Sequence, residues 1–499
     1  MNEYVFSGYN IDVSKIPKNI THLTFISSDL QLNNLPNSIT HLSFENSYNK
    51  SLDNLPNFIT HLTFGSNFNQ PVNNLPNSIT HLTFGSNFNQ PVNNLPNSIT
   101  HLTFGNEFNK PLCNLHVHII EKIFGNNFNL TYNTLPNSIT HLTFGKNFNQ
   151  SIYGLPNSIT HLTFGEDFNQ SIDNLPNSIT HLTFGIKYSR SFFNQSVDKL
   201  PCSITHLTFG DCFNQSVDKL PCSITHLNLG NNFNRPIDKL PCSIIHLTIG
   251  NYFNQPIDNL PCSITHLTLG GTFDQSIDNL PCSITHLTLG WDFNKPVDNL
   301  PNSITRLTLG NVFNQPVNNL PNSITHLTFG EYFNKPVNNL PNSITHLTFG
   351  YEFNQSIDNL SNLPKCLIFE NYFIPTSYII PDDIRIYYFN NYKTINSSNK
   401  FILYYDDDNI YYKFKNFVIT ENYSIIENYT IFPLIDVKRL LICGQYERKF
   451  ENIKQILDLQ YFVHEILLKK LTEYVFNPQR LLRISKKYNL TIDEYVDFL

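Results

Sequence analysis

Histidine is the most regularly placed chemically active residue in this sequence. Fifteen of the eighteen histidines recur at one position of a twenty-residue pattern between His22 and His346, and Glu121 and Arg306 take that position in two further repeats. Imidazole titrates near pH 6.5, so such a row would form a binding strip that becomes cationic in mild acid. The alternative is a tolerated, solvent-facing residue copied by duplication. The candidate strip consists of His61, His81, His101, His141, His161, His181, His206, His226, His246, His266, His286, Arg306, His326 and His346.

Asparagine occupies a second regular position, in a recurring Phe-Asn pair. It runs from Asn49 to Asn354 and is replaced only by Asp274. A buried backbone group without a partner is costly, so we expect these side chains to face inward and to satisfy backbone groups of their own and the adjacent repeat. The predicted structural ladder consists of Asn69, Asn89, Asn109, Asn129, Asn149, Asn169, Asn194, Asn214, Asn234, Asn254, Asn294, Asn314, Asn334 and Asn354.

Cysteine and aspartate form two shorter rows. The cysteines follow the Pro of a Leu-Pro pair in five successive repeats, and we expect small, half-buried, reduced thiols there, with metal clustering or redox chemistry as the alternative. The seven carboxylates repel one another at strand spacing, which either a bound cation or solvent and adjacent Lys residues would relieve. The two rows are Cys202, Cys222, Cys242, Cys262 and Cys282, and Asp173, Asp198, Asp218, Asp238, Asp258, Asp278 and Asp298.

None of these rows predicts catalysis. A single-file row of histidines supplies ligand pairs at best, whereas structural metal sites converge several ligands on one point. The sequence contains no Gly-x-Ser-x-Gly, no phosphate-binding glycine-rich loop and no paired carboxylates on a recognisable scaffold. We therefore predict a protein that is not an enzyme, with no catalytic residue, no cofactor and no metal ion.

The period of the sequence decides which elements position these rows. Residues 61–80 read HLTFGSNFNQPVNNLPNSIT, and residues 81–100 repeat that string without a change. A fixed period of this kind means a solenoid, in which each turn contacts only its neighbours. Following the His position along the chain gives seventeen turns, including one at Glu121, and an eighteenth, decayed turn ends at Phe369.

One strand per turn is predicted from the alternation of polar and apolar residues. Leu82 and Phe84 point inward, and His81 and Thr83 point outward. The rest of the turn is too rich in Pro and Asn for a useful helix. Gly85 is expected to close the strand where a positive φ suits glycine. Six apolar side chains per turn should fill the core, namely Ile79, Leu82, Phe84, Phe88, Val92 and Leu95.

Composition excludes several classes of protein. Charged residues make up only 14% of the 499 residues, and the formal net charge is −7, which argues against nonspecific nucleic-acid binding. Asn2, Glu3 and Tyr4 give no basic start, and no apolar run approaches eighteen residues, so neither a signal peptide nor a membrane span is predicted. We expect an intracellular monomer with reduced cysteines.

The repeated motif carries a resemblance. The pattern Leu-Gly-x-x-Phe-Asn-x-Pro-Val, as in residues 289–297, followed by Leu-Pro-x-Ser-Ile, resembles the FNIP repeat, a leucine-rich-repeat relative of social amoebae and giant amoebal viruses. The resemblance covers roughly residues 17–373. It implies a leucine-rich-repeat-like solenoid that binds an unknown protein partner, located in the cytoplasm, or in the host cytoplasm for a viral protein.

Many FNIP proteins carry an F-box, which would make them substrate adaptors of ubiquitin ligases. Here the repeat phase begins by Pro17, which leaves no room for an F-box. The leading prediction is a non-enzymatic interaction scaffold, and the alternative is a ubiquitin-pathway adaptor whose C-terminal segment replaces the F-box. The predicted fold is mainly β, with a solenoid of 17–18 turns and a single parallel sheet. Its predicted segments are an N-terminal cap strand at 1–16, the solenoid at 17–373, a β-rich cap at 374–435 and helices at 436–499.

Overall fold

The computed structural model describes most of the repeat region. The described residues are 3–6, 16–26, 35–52, 55–112, 135–185, 190–357, 360 and 364–369, with the strand backbones at 385–389, 402–406, 409–414, 417–420 and 425–427. The chain divides into two compact units, residues 1–295 and residues 296–499. The predicted helical segment at 436–499 lies outside the described residues.

The first unit is a ladder of short parallel strands, one for each described turn. Neighbouring strands pair in register, so that His81 lies opposite His61 on one side and His101 on the other. The first strand pairs with the second through Glu3 and His22. The strands are β1 (Glu3–Phe6), β2 (His22–Phe25), β3 (His41–Phe44), β4 (His61–Thr63), β5 (His81–Thr83), β6 (His101–Thr103), β7 (His141–Thr143), β8 (His161–Phe164), β9 (His181–Phe184), β10 (His206–Thr208), β11 (His226–Leu229), β12 (His246–Ile249), β13 (His266–Thr268) and β14 (His286–Thr288).

The second unit begins with the same parallel arrangement and ends in a meander. Strands β15 to β20 pair in parallel, and β20 to β23 pair antiparallel. The strands are β15 (Arg306–Thr308), β16 (His326–Thr328), β17 (His346–Phe349), β18 (Cys366–Phe369), β19 (Arg385–Phe389), β20 (Ile402–Asp406), β21 (Asn409–Phe414), β22 (Phe417–Thr420) and β23 (Ile425–Glu427). The repeat region is therefore mainly β and leucine-rich-repeat-like, as predicted.

The core is built from the six apolar positions that the sequence indicates. Ile79, Leu82 and Phe88 are at most 1% exposed, and the other three positions of that turn are also buried. The two phenylalanines of one turn stack on each other, with the Phe84 and Phe88 ring centroids 3.7 Å apart. Corresponding rings of adjacent turns lie 5.8 Å apart for Phe64 and Phe84. Stacking of turns thus covers apolar surface that one turn alone would expose.

Strands β6 and β7 are neighbours in the ladder, paired through His101 and His141. Strict periodicity predicts a further turn at Glu121 between them. That turn falls in residues 113–134, which lie outside the described residues.

The recurring glycine also has a different role from the predicted one. Among the described glycines only Gly154 and Gly185 have a positive φ, at 81° and 93°. A Cβ atom added to Gly85 would instead overlap the carbonyl group of Gly65 in the preceding turn. The position requires glycine because the backbones of adjacent turns approach closely there.

Candidate interaction surface

The histidines of the first unit form an unbroken stack of imidazole rings from His22 to His286. Each strand from β2 to β14 contributes one ring on the face opposite the buried leucine. The ring centroids of neighbours are 3.9 Å apart for His41 and His61 and 4.4 Å apart for His226 and His246. In the second unit His326 and His346 stack at 4.2 Å. We call the residues from His22 to His286 in the first unit the histidine strip.

A threonine before the strand orients the histidine ring in nearly every turn. The Thr60 hydroxyl lies 3.1 Å from the Thr40 carbonyl and 2.9 Å from Nδ1 of His61. The Thr40 carbonyl also accepts the backbone N–H groups of Thr60 and His61. The hydroxyl can donate to Nδ1 or accept from it, so the contact fixes the position of the ring and is compatible with either tautomer.

The same pair of contacts recurs along most of the strip. Thr225 repeats it with His226, and Thr285 repeats it with His286. His246 is an exception because Ile245 precedes it. Sequence reasoning did not identify these threonines, although their position directly before all but one histidine of the strip was a usable signal. The histidine strip therefore presents a row of imidazoles held in one orientation by stacking and by the threonine hydroxyls.

The ring environment lowers the basicity of the strip. Burial is the largest cause and the neighbouring imidazoles are the second, and together they lower the pKa of His61 to about 4. Burial followed by the charge of neighbouring histidines also lowers the pKa of His141 and of His266. The sequence predicts an open row in which repulsion dominates. The structure differs, because most of these rings are half-buried by stacking.

The asparagines form a ladder on the turn that follows the strand. Oδ1 of Asn69 accepts the backbone N–H of Asn89 at 2.9 Å and the side-chain amide of Gln90 at 3.1 Å. Asp274 continues the ladder by accepting from the backbone N–H of Asn294. Asn109 accepts from Asn149, which matches the direct pairing of β6 with β7. Asn129 lies outside the described residues.

A serine ladder, which sequence reasoning did not identify, runs on the other side of the strand. The Ser98 hydroxyl donates to the Ile79 carbonyl of the preceding turn at 2.6 Å, and the contact recurs at Ser223 and Ser283. It occupies a carbonyl that the strand pairing leaves free. The recurrence of Ser before the buried Ile in each turn was the available signal.

The cysteine row differs from its prediction. All five thiols, from Cys202 to Cys282, are free and exposed, whereas half-buried thiols were expected. The thiols are exposed because each cysteine lies in a turn, whereas the leucine two residues before it fills the core, as Leu220 does before Cys222.

The aspartate row is partly neutralised, and the pairing is shifted by one turn. Lys219 contacts Asp198 of the preceding turn at 2.7 Å, not the neighbouring Asp218. Where lysine is replaced by asparagine, the amide takes over, as Asn279 does toward Asp258 at 3.0 Å. Exposed pairs of this kind contribute little stability, and their repetition relieves the repulsion that the sequence suggests.

Among the described residues, no group of three or more His, Cys, Asp or Glu side chains could hold a metal ion. No helix among the same residues has the length and apolar character needed to cross a membrane.

Comparisons with known proteins agree with this geometry. Profiles of the FNIP Repeat family match residues 48–86, 71–106, 88–114, 126–166, 148–187, 213–252, 233–272, 253–292, 273–312, 293–332, 313–339 and 333–369, together more than half of the chain. The resemblance stated from the sequence is thereby confirmed. No curated protein matches the sequence.

Two solved structures are similar to this chain. CroV588 of a giant virus, described as a novel circular LRR protein, aligns with 43% identity and a TM-score of 0.64, over 81% of this chain and 61% of that chain. This chain therefore spans less than two thirds of that protein. YopM from Yersinia enterocolitica aligns with 17% identity and a TM-score of 0.45, over 74% of this chain and 78% of that chain.

Proposed function

The chain belongs to the FNIP-repeat family, and we propose that it is a non-enzymatic scaffold that binds a protein partner through the histidine strip. The repeat region has a leucine-rich-repeat-like fold, which is typical of interaction scaffolds. The observation that carries the proposal is the strip itself, in which many in-register strands present the same polar side chains on the face opposite the core. A repeated surface of this kind suits an extended protein partner.

The chemistry of the strip specifies the partner further. Burial and neighbouring rings lower the pKa of residues such as His61 and His226, so these imidazoles are uncharged at neutral pH. An acidic partner would gain no charge attraction from them. A neutral imidazole pairs through one N–H donor and one nitrogen acceptor, so the partner is expected to offer neutral polar groups such as amides and hydroxyls.

Proximity labelling in native cells, with variants of matched charge, tests the proposal. The strip variant carries His206→Glu, His226→Glu and His246→Glu. The control carries Cys222→Glu, Cys242→Glu and Cys262→Glu, at exposed turn positions away from the strip. We expect the strip variant to lose a set of labelled proteins that the wild type and the control both retain. Loss of the same set in the control, or in neither variant, would refute binding at the strip.

The ubiquitin-adaptor alternative depends on the segment 436–499, which lies outside the described residues. No contact among the described residues of the repeat region favours it over the scaffold proposal. In the same labelling experiment, ubiquitin-ligase core subunits that disappear on deletion of residues 436–499 would support it.

A further inference from the structure

The cysteine row places one exposed thiol on each of five consecutive turns. All of these thiols, from Cys202 to Cys282, are free and exposed. Each cysteine is the second residue of a β-turn, in which the Pro221 carbonyl, for example, accepts the backbone N–H of Ile224 at 3.3 Å. The same hydrogen bond recurs in the other four turns of the row. The five thiols therefore lie at equivalent places on successive turns.

The turns beside the row are held in register at a fixed spacing. The Ser223 hydroxyl, one residue after Cys222, donates to the Ile204 carbonyl of the preceding turn at 2.6 Å. Paired strands lie about 4.8 Å apart, and the core rings of Phe213 and Phe233 have centroids 6.2 Å apart. Neighbouring cysteine Cα atoms therefore lie about 5–6 Å apart, within the roughly 4.4–6.8 Å that a disulfide spans. Cysteines two turns apart are separated by about 10 Å, which is too far.

We propose that the cysteine row is a site of reversible thiol oxidation, at which low-molecular-weight disulfides such as oxidised glutathione convert thiols of adjacent turns into disulfides. The site lies in the turns before the strands, apart from the histidine strip, and does not depend on the proposed scaffold function. A disulfide holds the two Cβ atoms about 3.8 Å apart, so neighbouring turns must close by about 1 Å. Because the cysteines are exposed, this movement does not need to displace a buried side chain.

The reaction consists of two thiol–disulfide exchanges. The thiolate of one cysteine attacks a sulfur of oxidised glutathione, so a mixed disulfide forms and one reduced glutathione leaves. The thiolate of the adjacent turn then attacks the protein sulfur of the mixed disulfide, which breaks that bond and releases the second glutathione. The protein loses two electrons and two protons, and both pairs are recovered in the two glutathione thiols.

The odd number of thiols in the row determines the product. Whichever neighbours react first, two disulfides use four of the five thiols, and one thiol is left without an adjacent partner. A chain with serine at the four cysteines outside the row, equilibrated with oxidised and reduced glutathione, should show two disulfides and at most one glutathione adduct by intact mass. Three or more adducts, or no reaction, would overturn the proposal. The four replaced residues are Cys113, Cys212, Cys366 and Cys443.

Two variants with two cysteines each separate pairing of adjacent turns from pairing by random collision. The adjacent variant keeps Cys222 and Cys242, the separated variant keeps Cys222 and Cys262, and both carry serine at the four positions outside the row. The other row positions become asparagine, which the same position carries in other turns, as at Asn97 and Asn302. Both variants thus present the same number of thiols on equivalent turns.

Equilibration with glutathione mixtures, followed by acid quenching and intact-mass measurement, gives the ratio of internal disulfide to mixed disulfide. Circular dichroism confirms that both variants are folded. We expect the folded adjacent variant to exceed the folded separated variant by at least about thirtyfold, because the ladder holds only adjacent thiols at a high effective concentration. In denaturant the two variants should differ by only about threefold, as expected for loops of about 20 and 40 residues. A difference of threefold or less in the folded state would overturn the proposal, because the fold would then contribute nothing to the pairing.

Discussion

At the scale of single residues, each side chain of the repeat connects one turn to the next. The Thr60 hydroxyl reaches the Thr40 carbonyl, and the Asn69 amide reaches the Asn89 backbone. The asparagine contact satisfies a backbone N–H that water would otherwise have to reach, whereas the Thr40 carbonyl also accepts two backbone N–H groups. The repeated residues thus make the same hydrogen bonds in each turn, and a change at one residue affects its partner in the adjacent turn.

Stability should depend on pH through the histidine strip. The folded-state pKa of His61 is about 4, below the reference value of 6.5, so the unfolded chain binds more protons between these values. The contribution of such a histidine to the free energy of unfolding is then fully present above pH 6.5, and it decreases as the pH falls toward 4. Thermal melts between pH 7.5 and 5 measure this.

The control for the pH series is a variant of the strip in which His181, His206, His226, His246, His266 and His286 are replaced by glutamine. It should lose less stability than the wild type over the same interval, because fewer groups change protonation on unfolding. A wild-type melting temperature that stays constant or rises on acidification would contradict the lowered pKa values.

The asparagine ladder allows a test with an isosteric control. Asn149→Ala removes the acceptor that serves the Asn169 backbone N–H and the Gln170 amide. We expect a loss of about 1–3 kcal/mol in the free energy of unfolding, because a donor is left without a partner. Asn149→Asp keeps the acceptor, as Asp274 does in its own turn, and should cost less in denaturant titrations. Equal losses would show that the acceptor is unimportant.

At the scale of elements, the sequence predicts the strand and its faces well. The alternation in His81-Leu82-Thr83-Phe84 was enough to assign the inward and outward faces, because an inward position must be apolar wherever one face of the sheet is buried. The hydrogen-bond relay of Thr80 was not predicted, since side-chain contacts between turns depend on register and not on periodicity alone. The half-buried state of the rings was missed for the same reason.

The sequence correctly predicts that the position at the end of the strand needs glycine, but the predicted cause, a positive φ, is wrong. A Cβ atom at Gly270 would overlap the Gly250 carbonyl, whereas at the adjacent Gly271 the nearest atom is 3.5 Å away. We expect Gly270→Ala to destabilise the protein by about 3 kcal/mol or more, because backbone must move. Gly271→Ala should change the free energy of unfolding by less than about 1 kcal/mol in denaturant titrations. Similar effects at both positions would contradict the close approach of adjacent turns.

At the scale of the whole molecule, the repeat phase predicts the kind of fold but not the order of every pairing. Periodicity counts turns, yet a turn joins the ladder only when its inward positions can be buried. Strict periodicity counts a turn at Glu121, whereas β6 pairs with β7 through His101 and His141. The pairing of described strands is therefore not read from the period alone.

Disulfide cross-linking across this junction tests most directly the claim that in-register pairing of compatible turns builds the ladder. In a chain whose nine native cysteines are serine, Thr103→Cys and Thr143→Cys lie on paired strands, within reach of a disulfide. Thr83→Cys with Thr143→Cys lies two strands apart, at about 9.6 Å, and should not cross-link. The account predicts rapid oxidation of the first pair only. Failure of the first pair to oxidise in a folded protein would contradict the account, because an inserted strand would then separate these two threonine positions.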